Sequence, residues 1–185
     1  MRAEYENVLD DHLGKIHFTY VNTWDELLPA HWHEHLEIIY VLGGEITASI
    51  NDVSYELKKG DIFLVNSNDI HYTHTHEDAR YYLLQIPPVH LERISAKWEG
   101  LKFQEFIRSK SADACVQGEQ LENVQGKGLV EMRENRKSTN RADDLYDQLR
   151  DVFRKIAGFY EEKKEYFQFF FVPLCLITWF WNILW

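Results

Sequence analysis

At 185 residues, 45% hydrophobic and 15% aromatic, the chain suits one generous domain, or a compact domain with an appendage, around a well-packed core, which argues against wholesale disorder. Twenty basic against 30 acidic residues give a net charge of −10, and the densest basic stretch, Arg133 to Arg141, contains Glu134 and no aromatic residue, so direct nucleic-acid binding is not expected. Cys115 and Cys175 lie far apart and the acidic start, Met1 to Asp11, has no apolar stretch; neither a disulfide framework nor a secretory signal is expected, and a cytoplasmic protein is.

In chain order, Lys15 to Val21 is aromatic and β-branched and predicts a first strand, followed by a loop with Trp24 and Pro29. Glu37 to Leu42 predicts a strand, Gly43-Gly44 a two-residue primed hairpin turn, and Glu45 to Ile50 the returning strand. Asn51-Asp52 makes a second tight turn, Val53 to Leu57 another strand, and Lys59-Gly60-Asp61 a further turn. Ile62 to Val65 and Arg80 to Ile86 supply two more strands, with a His-rich extended piece, His71 to His76, between them. Short strands without room for crossover helices predict an antiparallel meander, closed into a barrel or double-layer jelly roll so that its edges are not exposed. Pro87-Pro88 ends the β region.

Beyond it, Val89 to Trp98 predicts a short helix, and the polar stretch from Ser109 to Thr139, with Gly118, Gly126 and Gly128, an irregular segment. Asn140 is placed to cap a helix in which Leu145, Leu149, Val152, Ile156 and Phe159 recur at three- and four-residue steps, a stripe suited to self-association or to covering the barrel. Phe167 to Trp185 is an aromatic run of 19 residues without charge. Its length suits a membrane tail, but Pro173, Asn182 and the missing basic flank argue against one; the other readings are a second packed helix or an abnormal end to the reading frame. The division expected is 1–100 for the barrel, 101–140 for the irregular connection and 141–185 for a helical dimerisation segment with an aromatic tail.

Six of the nine histidines fall in His31-Trp32-His33-Glu34-His35 and His71-Tyr72-Thr73-His74-Thr75-His76. Alternate strand residues share a face, so His31, His33 and Glu37 point one way, and His71 begins a later strand that can pair across the barrel. Three imidazoles and a carboxylate converging on one point suit a divalent transition metal such as Zn, Ni, Mn or Fe; the other reading is the polar lining of a ligand pocket. A kink after Trp32 is expected to turn His35 outward, and His74 and His76 to lie solvated near a strand end. Trp32, Tyr40, Phe63, Tyr72 and Tyr82 offer aromatic faces for a sugar ring. No strained nucleophile turn accompanies the histidines, so no Ser–His catalysis is expected.

The stretch His31-x-His33-x3-Glu37-x6-Gly44 resembles the first cupin motif, with Asp25 where that motif has its leading glycine. Gly60 and His71 match the second motif, whereas Asn66, Asn68 and Thr75 depart from it. The wider runs His31 to Gly44 and Leu57 to Asn66, continuing to Asp69-Ile70-His71, resemble the N-terminal sensing domain of AraC-type bacterial transcription regulators. The resemblance covers about residues 15 to 100 and, more loosely, the helix near 141–163. It implies a mainly β, cupin-type antiparallel barrel (a double-stranded β-helix or jelly roll) followed by a C-terminal helical segment. It also implies a small-molecule effector, often a sugar, bound by His31, His33, Glu37, Tyr40, His71 and Tyr82, and a homodimer formed through the helices. Such regulators continue into a basic DNA-reading domain, whereas this sequence stops at Trp185; a sensing and dimerisation domain without DNA-binding capacity is expected. The altered second motif favours the polar floor of an effector pocket over a metal site at His31, His33, Glu37 and His71. The alternative is a small metal-dependent cupin enzyme of the isomerase or dioxygenase type.

Overall fold

A computed structural model describes residues 3–8, 15–94, 102–103, 105–107 and 146–158. Its strands are β1 (Glu4–Tyr5), β2 (His17–Thr23), β3 (Leu27–Trp32), β4 (Leu36–Gly43), β5 (Glu45–Ile50), β6 (Val53–Lys58), β7 (Ile62–Val65), β8 (His71–Thr75), β9 (Ala79–Ile86) and β10 (Phe106–Ile107). Helix α1 spans Pro88–Ile94, and a second helix, α2, covers 146–158. One sheet runs β1-β3-β8-β5-β6 and the other β10-β7-β4-β9-β2. Every pairing is antiparallel except β1 with β3. This is the two-sheet jelly roll, the double-stranded β-helix expected from the sequence, rather than a meander.

The difference lies in the corners. Only β5 and β6 form the expected hairpin, with Ile50 opposite Val53. Asn51 and Asp52 both take positive φ (48° and 70°), the backbone that a primed two-residue turn demands and that these short polar side chains tolerate. Gly43-Gly44 makes no hairpin, because β4 pairs with β7 and β9 whereas β5 pairs with β6 and β8. The chain instead crosses from one sheet to the other there, with a register shift between Val41 and Gly43 and Gly44 at φ 71°. Lys59-Gly60-Asp61 is a second such crossing, between β6 and β7. Pro29, expected in a loop, lies inside β3, where a register shift between Leu28 and His31 accommodates a residue that cannot donate to the ladder.

Alternation along β4 and β9 divides the apolar residues into two cores. Ile39, Val41, Phe63, Val65 and Ala79 meet Ile46, Ala48, Ile50 and Leu57 between the sheets. Leu36, Ile38, Leu84 and Ile86 point out of the second sheet, where Leu91 of α1 and Leu149, Val152, Phe153 and Ile156 of α2 cover them. The helical stripe foreseen from the sequence therefore covers the barrel. Leu145 and Phe159, its other members, lie outside the described residues, as does the irregular connection at 109–139. Tyr146 donates its hydroxyl proton to the Gly60 carbonyl at 2.8 Å and ties α2 to the β6–β7 crossing. Among the described residues no helix is long and apolar enough to cross a membrane; the aromatic run at 167–185 lies outside them.

Phe153 is fully buried, its ring 5.4 Å from Tyr40 and 6.4 Å from Phe18. Phe153→Ala is expected to cost about 3–5 kcal/mol in urea unfolding, through lost transfer energy and the cavity left behind. Exposed Lys155→Ala on the same helix should stay within about 0.5 kcal/mol. Equal losses for the two would show that α2 is not seated on the sheet as described.

Candidate metal and ligand site

The histidines sit where β3, β4 and β8 meet. His31, the last residue but one of β3, lies directly opposite His71, the first residue of β8, and their rings stand 4.1 Å apart. The His33 ring is 4.9 Å from that of His71 and 6.0 Å from that of His31. All three side chains are buried, and their ligand nitrogens lie within 4.8 Å of one another. Glu37 reaches the same place from β4, one oxygen 3.1 Å from His33 Nε2 and the other 3.9 Å from His71 Nε2. The structure thus brings together the quartet expected from strand alternation.

Each imidazole is oriented through its far nitrogen. Nδ1–H of His31 donates to the Pro29 carbonyl (2.7 Å), that of His33 to the His35 carbonyl (3.1 Å) and that of His71 to the Asp69 carbonyl (2.9 Å). A carbonyl only accepts, so the proton must sit on Nδ1, leaving Nε2 of all three to face the common centre. Nε2 of His31 and of His71 is buried without a hydrogen-bond partner. Buried polar atoms without partners are costly, and lone pairs so aimed, with Nδ1 anchored by backbone, are how imidazoles are prepared for a cation. The donor set therefore fits a divalent transition metal: three imidazole nitrogens and the Glu37 carboxylate.

The electrostatics agree with a charged, desolvated centre. Burial alone would raise the Glu37 pKa, but the His33 hydrogen bond, the His71 and His33 charges and the Gln85 hydrogen bond outweigh it and hold it at about 2. Burial works against protonated His33 as well, yet the hydrogen bond and charge of Glu37, with Glu6 and the His35 carbonyl, raise its pKa. For His71 burial wins over the Glu37 charge and the pKa falls, which keeps that ring neutral.

Other expected residues go elsewhere. Tyr40 and Tyr82 do not join the site: each stands three residues from an inward one, Glu37 and Gln85, and so faces the opposite side of the sheet. There both pack against the core beneath α2, with Tyr82 stacked on Phe18 at 5.1 Å. Phe63 is part of the core between the sheets, and Trp32 packs on Tyr5 at 4.8 Å. Tyr72, half-buried, alternates away from His71. His35 is buried rather than turned outward, its ring 5.9 Å from His33 and perpendicular to it. His74 meets Asp25 at 2.9 Å and His76 meets Thr47 at 2.8 Å, apart from the quartet. A cavity of about 410 Å³, lined by Leu36, Asn66, Pro88, Leu91 and Phe103 among others, contains none of the site histidines.

Two site residues escaped the sequence reading. Gln85 lies opposite Glu37 in register and donates its amide to the carboxylate at 2.9 Å. A lone polar residue alternating with Leu83 and Tyr81 in a predicted strand was the available signal. Glu6, beside β1, places a carboxylate oxygen 3.6 Å from His31 Nε2 and 3.9 Å from His33 Nε2. Gln85→Leu removes one of the two hydrogen bonds that orient Glu37 and is expected to weaken metal binding by about tenfold, the lower end for loss of an outer partner. Competition titration with a chromogenic chelator measures this, and unchanged affinity would show that Gln85 does not position Glu37.

Residues 14–167 match the family described as AraC-like ligand binding domain. A curated relative, "Uncharacterized HTH-type transcriptional regulator YdeC" of Bacillus subtilis (strain 168), is 30% identical over 63 residues, which cover 33% of this chain and 22% of that protein. The chain thus spans about a fifth of the length of the curated relative it matches. Among solved structures, an RmlC-like cupin from Shewanella frigidimarina NCIMB 400 is 20% identical at a TM-score of 0.38, over 40% of this chain and 68% of the other. KdgF from Halomonas sp. is 22% identical at a TM-score of 0.38, over 40% of this chain and 71% of the other.

Proposed function

The chain belongs to the AraC-like ligand-binding domain family, and from that premise we propose that it is the effector-sensing part of an AraC-type transcription regulator. Its effector is a small polar molecule, of the carbohydrate or polyhydroxy class, taken at His31, His33, Glu37 and His71 through a divalent transition metal. The observation that supports this reading is the trio of imidazoles whose Nδ1–H groups are tied to backbone carbonyls while their Nε2 atoms face one centre. A bound metal supplies Lewis-acid coordination to oxygen donors such as vicinal hydroxyls. Glu37, ionised at all ordinary pH values, compensates its charge, and Gln85 holds that carboxylate in line.

Sensing requires that the ligand bind one arrangement of the chain better than another, since equal binding to both shifts nothing. The regulator would work in the cytoplasm as a homodimer, with DNA read by a separate basic domain. The apolar stripe of α2 is used within the chain, so the second copy would have to meet other surface. The test is metal analysis of protein purified without added salts, followed by calorimetric titration with a panel of sugars and polyols. About one equivalent of metal and saturable binding of one class that vanishes with chelator is the result expected. Sugar binding indifferent to chelator would overturn the metal's part; no binding of any polyol would overturn the effector class.

A second reading, a small metal-dependent enzyme, is favoured by the same three-histidine set, which leaves positions for exchangeable oxygen ligands. Incubation of the bound compound with protein, followed by NMR, separates the two: a sensor returns it unchanged.

A further inference from the structure

We propose that Glu6 is an additional ligand of the metal held by His31, His33, Glu37 and His71, so that metal loading fastens the N-terminal segment, residues 3–8, to the barrel. The inference rests on the metal reading above and concerns a residue from outside the two histidine clusters.

Glu6 Oε2 is buried and has no hydrogen-bond partner, although the side chain as a whole is 38% exposed. It faces His31 Nε2 at 3.6 Å and His33 Nε2 at 3.9 Å. Those distances are too long for hydrogen bonds. They are close to what a shared ion asks, because a carboxylate oxygen and an imidazole nitrogen each held at ~2.0–2.2 Å from one metal lie roughly 3–3.5 Å apart. An exposed glutamate has water on every side, and turning one oxygen into a dry pocket without a donor is unfavourable unless something there attracts it. His31 Nε2 and His71 Nε2 are buried without partners around the same centre. One ion satisfies all of these atoms.

The backbone delivers the carboxylate. β1 pairs in parallel with β3, Glu4 opposite His31 and Tyr5 opposite Trp32, and the Glu6 amide donates to the Trp32 carbonyl at 3.0 Å. Beyond this the segment is held by little: the Tyr5 ring on Trp32, the Val8 amide on the Glu6 carbonyl at 3.1 Å, and the buried Val8 side chain. Glu4 and Tyr5 are exposed. A two-residue strand at a sheet edge is weakly held on its own, so a ligand bond from Glu6 changes its occupancy substantially. Linkage makes the effect reciprocal: the factor by which docked Glu6 tightens metal binding is the factor by which metal tightens docking.

The experiment compares the full chain with Glu6→Gln and Glu6→Asp, using Co(II) as probe for affinity and visible absorption, and hydrogen exchange at the Glu6 amide with and without metal. Glu6→Gln is expected to bind Co(II) at least about tenfold more weakly, with an altered band pattern, as loss of a ligand should exceed loss of an outer partner. Metal should slow exchange of the Glu6 amide in the parent chain by a similar factor and leave it unchanged in Glu6→Gln. Glu6→Asp, one methylene too short, should behave as Glu6→Gln does. If the parent binds Co(II) but the variants match it in affinity, spectrum and exchange, the role of Glu6 is overturned while the metal site stands. Failure of the parent itself to bind Co(II) overturns the metal reading and this proposal together.

Discussion

Replacing His71 with alanine is expected to lower affinity for Zn(II) or Co(II) by more than about a hundredfold, because a direct ligand is lost and even outer partners are worth up to that factor. The His71 side chain is fully buried, its Nδ1–H is anchored on the Asp69 carbonyl, and no hydrogen bond competes for Nε2. Its low basicity means that no bound proton need be displaced there before a cation enters. The substitution also leaves a cavity beside ionised Glu37, so far-ultraviolet circular dichroism must show that the barrel survives. His71→Gln, which keeps more of the volume, serves as the second variant. If both fold and both retain parental affinity, the quartet is no metal site. Effector recognition would then fall to hydrogen bonds with the remaining imidazoles and with Glu37, whose carboxylate accepts.

The second large effect belongs to the corner between β4 and β5. Gly44→Ala is expected to destabilise the protein by about 3–5 kcal/mol, from left-handed backbone strain and a clash that adds to it. At φ 71° the position disfavours any L side chain. A Cβ built there would meet the Asp78 carbonyl oxygen at 2.5 Å, Ala79 Cα at 2.6 Å and Ala79 N at 2.7 Å. All three are backbone atoms, so no side-chain rotation relieves the contact; the start of β9 would have to move. Gly158 is the opposite case, since its added Cβ meets nothing within 4 Å. In α2 that change should stabilise by up to about 1 kcal/mol, because alanine loses less backbone entropy than glycine on becoming helical. Guanidinium midpoints of the two variants against the parent decide the matter. Near-equal midpoints would mean that the corner is slack and that the sheet crossing tolerates a side chain.

What was legible in the sequence follows from what alternation can and cannot say. It places His31, His33 and Glu37 on one face and makes β4, β5, β6, β7 and β9 recognisable to within a few residues. Within the strands it also excludes Tyr40 and Tyr82, an odd number of steps from Glu37 and Gln85; His35 lies between β3 and β4, where alternation does not apply, and it is buried but outside the three-histidine cluster. Aromatic rings alone do not mark a pocket, because Tyr40 and Tyr82 serve equally well in the core beneath α2. Alternation is silent on which strand pairs with which. Gly43-Gly44 suits a hairpin and a sheet crossing equally well, because both need a residue at positive φ. Glu6 was beyond reach for another reason: a two-residue strand has no period, and its partner β3 hid behind Pro29. The stripe of α2 was visible, but the surface it meets is a property of the folded barrel.

The crossings at Gly43-Gly44 and Lys59-Gly60-Asp61 have a further consequence, for the order of events in time. Because successive strands, apart from β5–β6 and β9–β10, go to opposite sheets, much of the ladder joins distant parts of the chain: His17 pairs with Gln85, and His31 with His71. Loop closure of that span must precede the contacts that reward it, which puts folding in the slow regime of about milliseconds to seconds. As the polypeptide emerges from the ribosome, His31, His33 and Glu37 appear together but wait for His71, and β4 lacks one of its two neighbours until β9 is complete. The histidine centre therefore does not exist until β8 has paired with β3, and a cation that arrives before then finds only loose imidazoles.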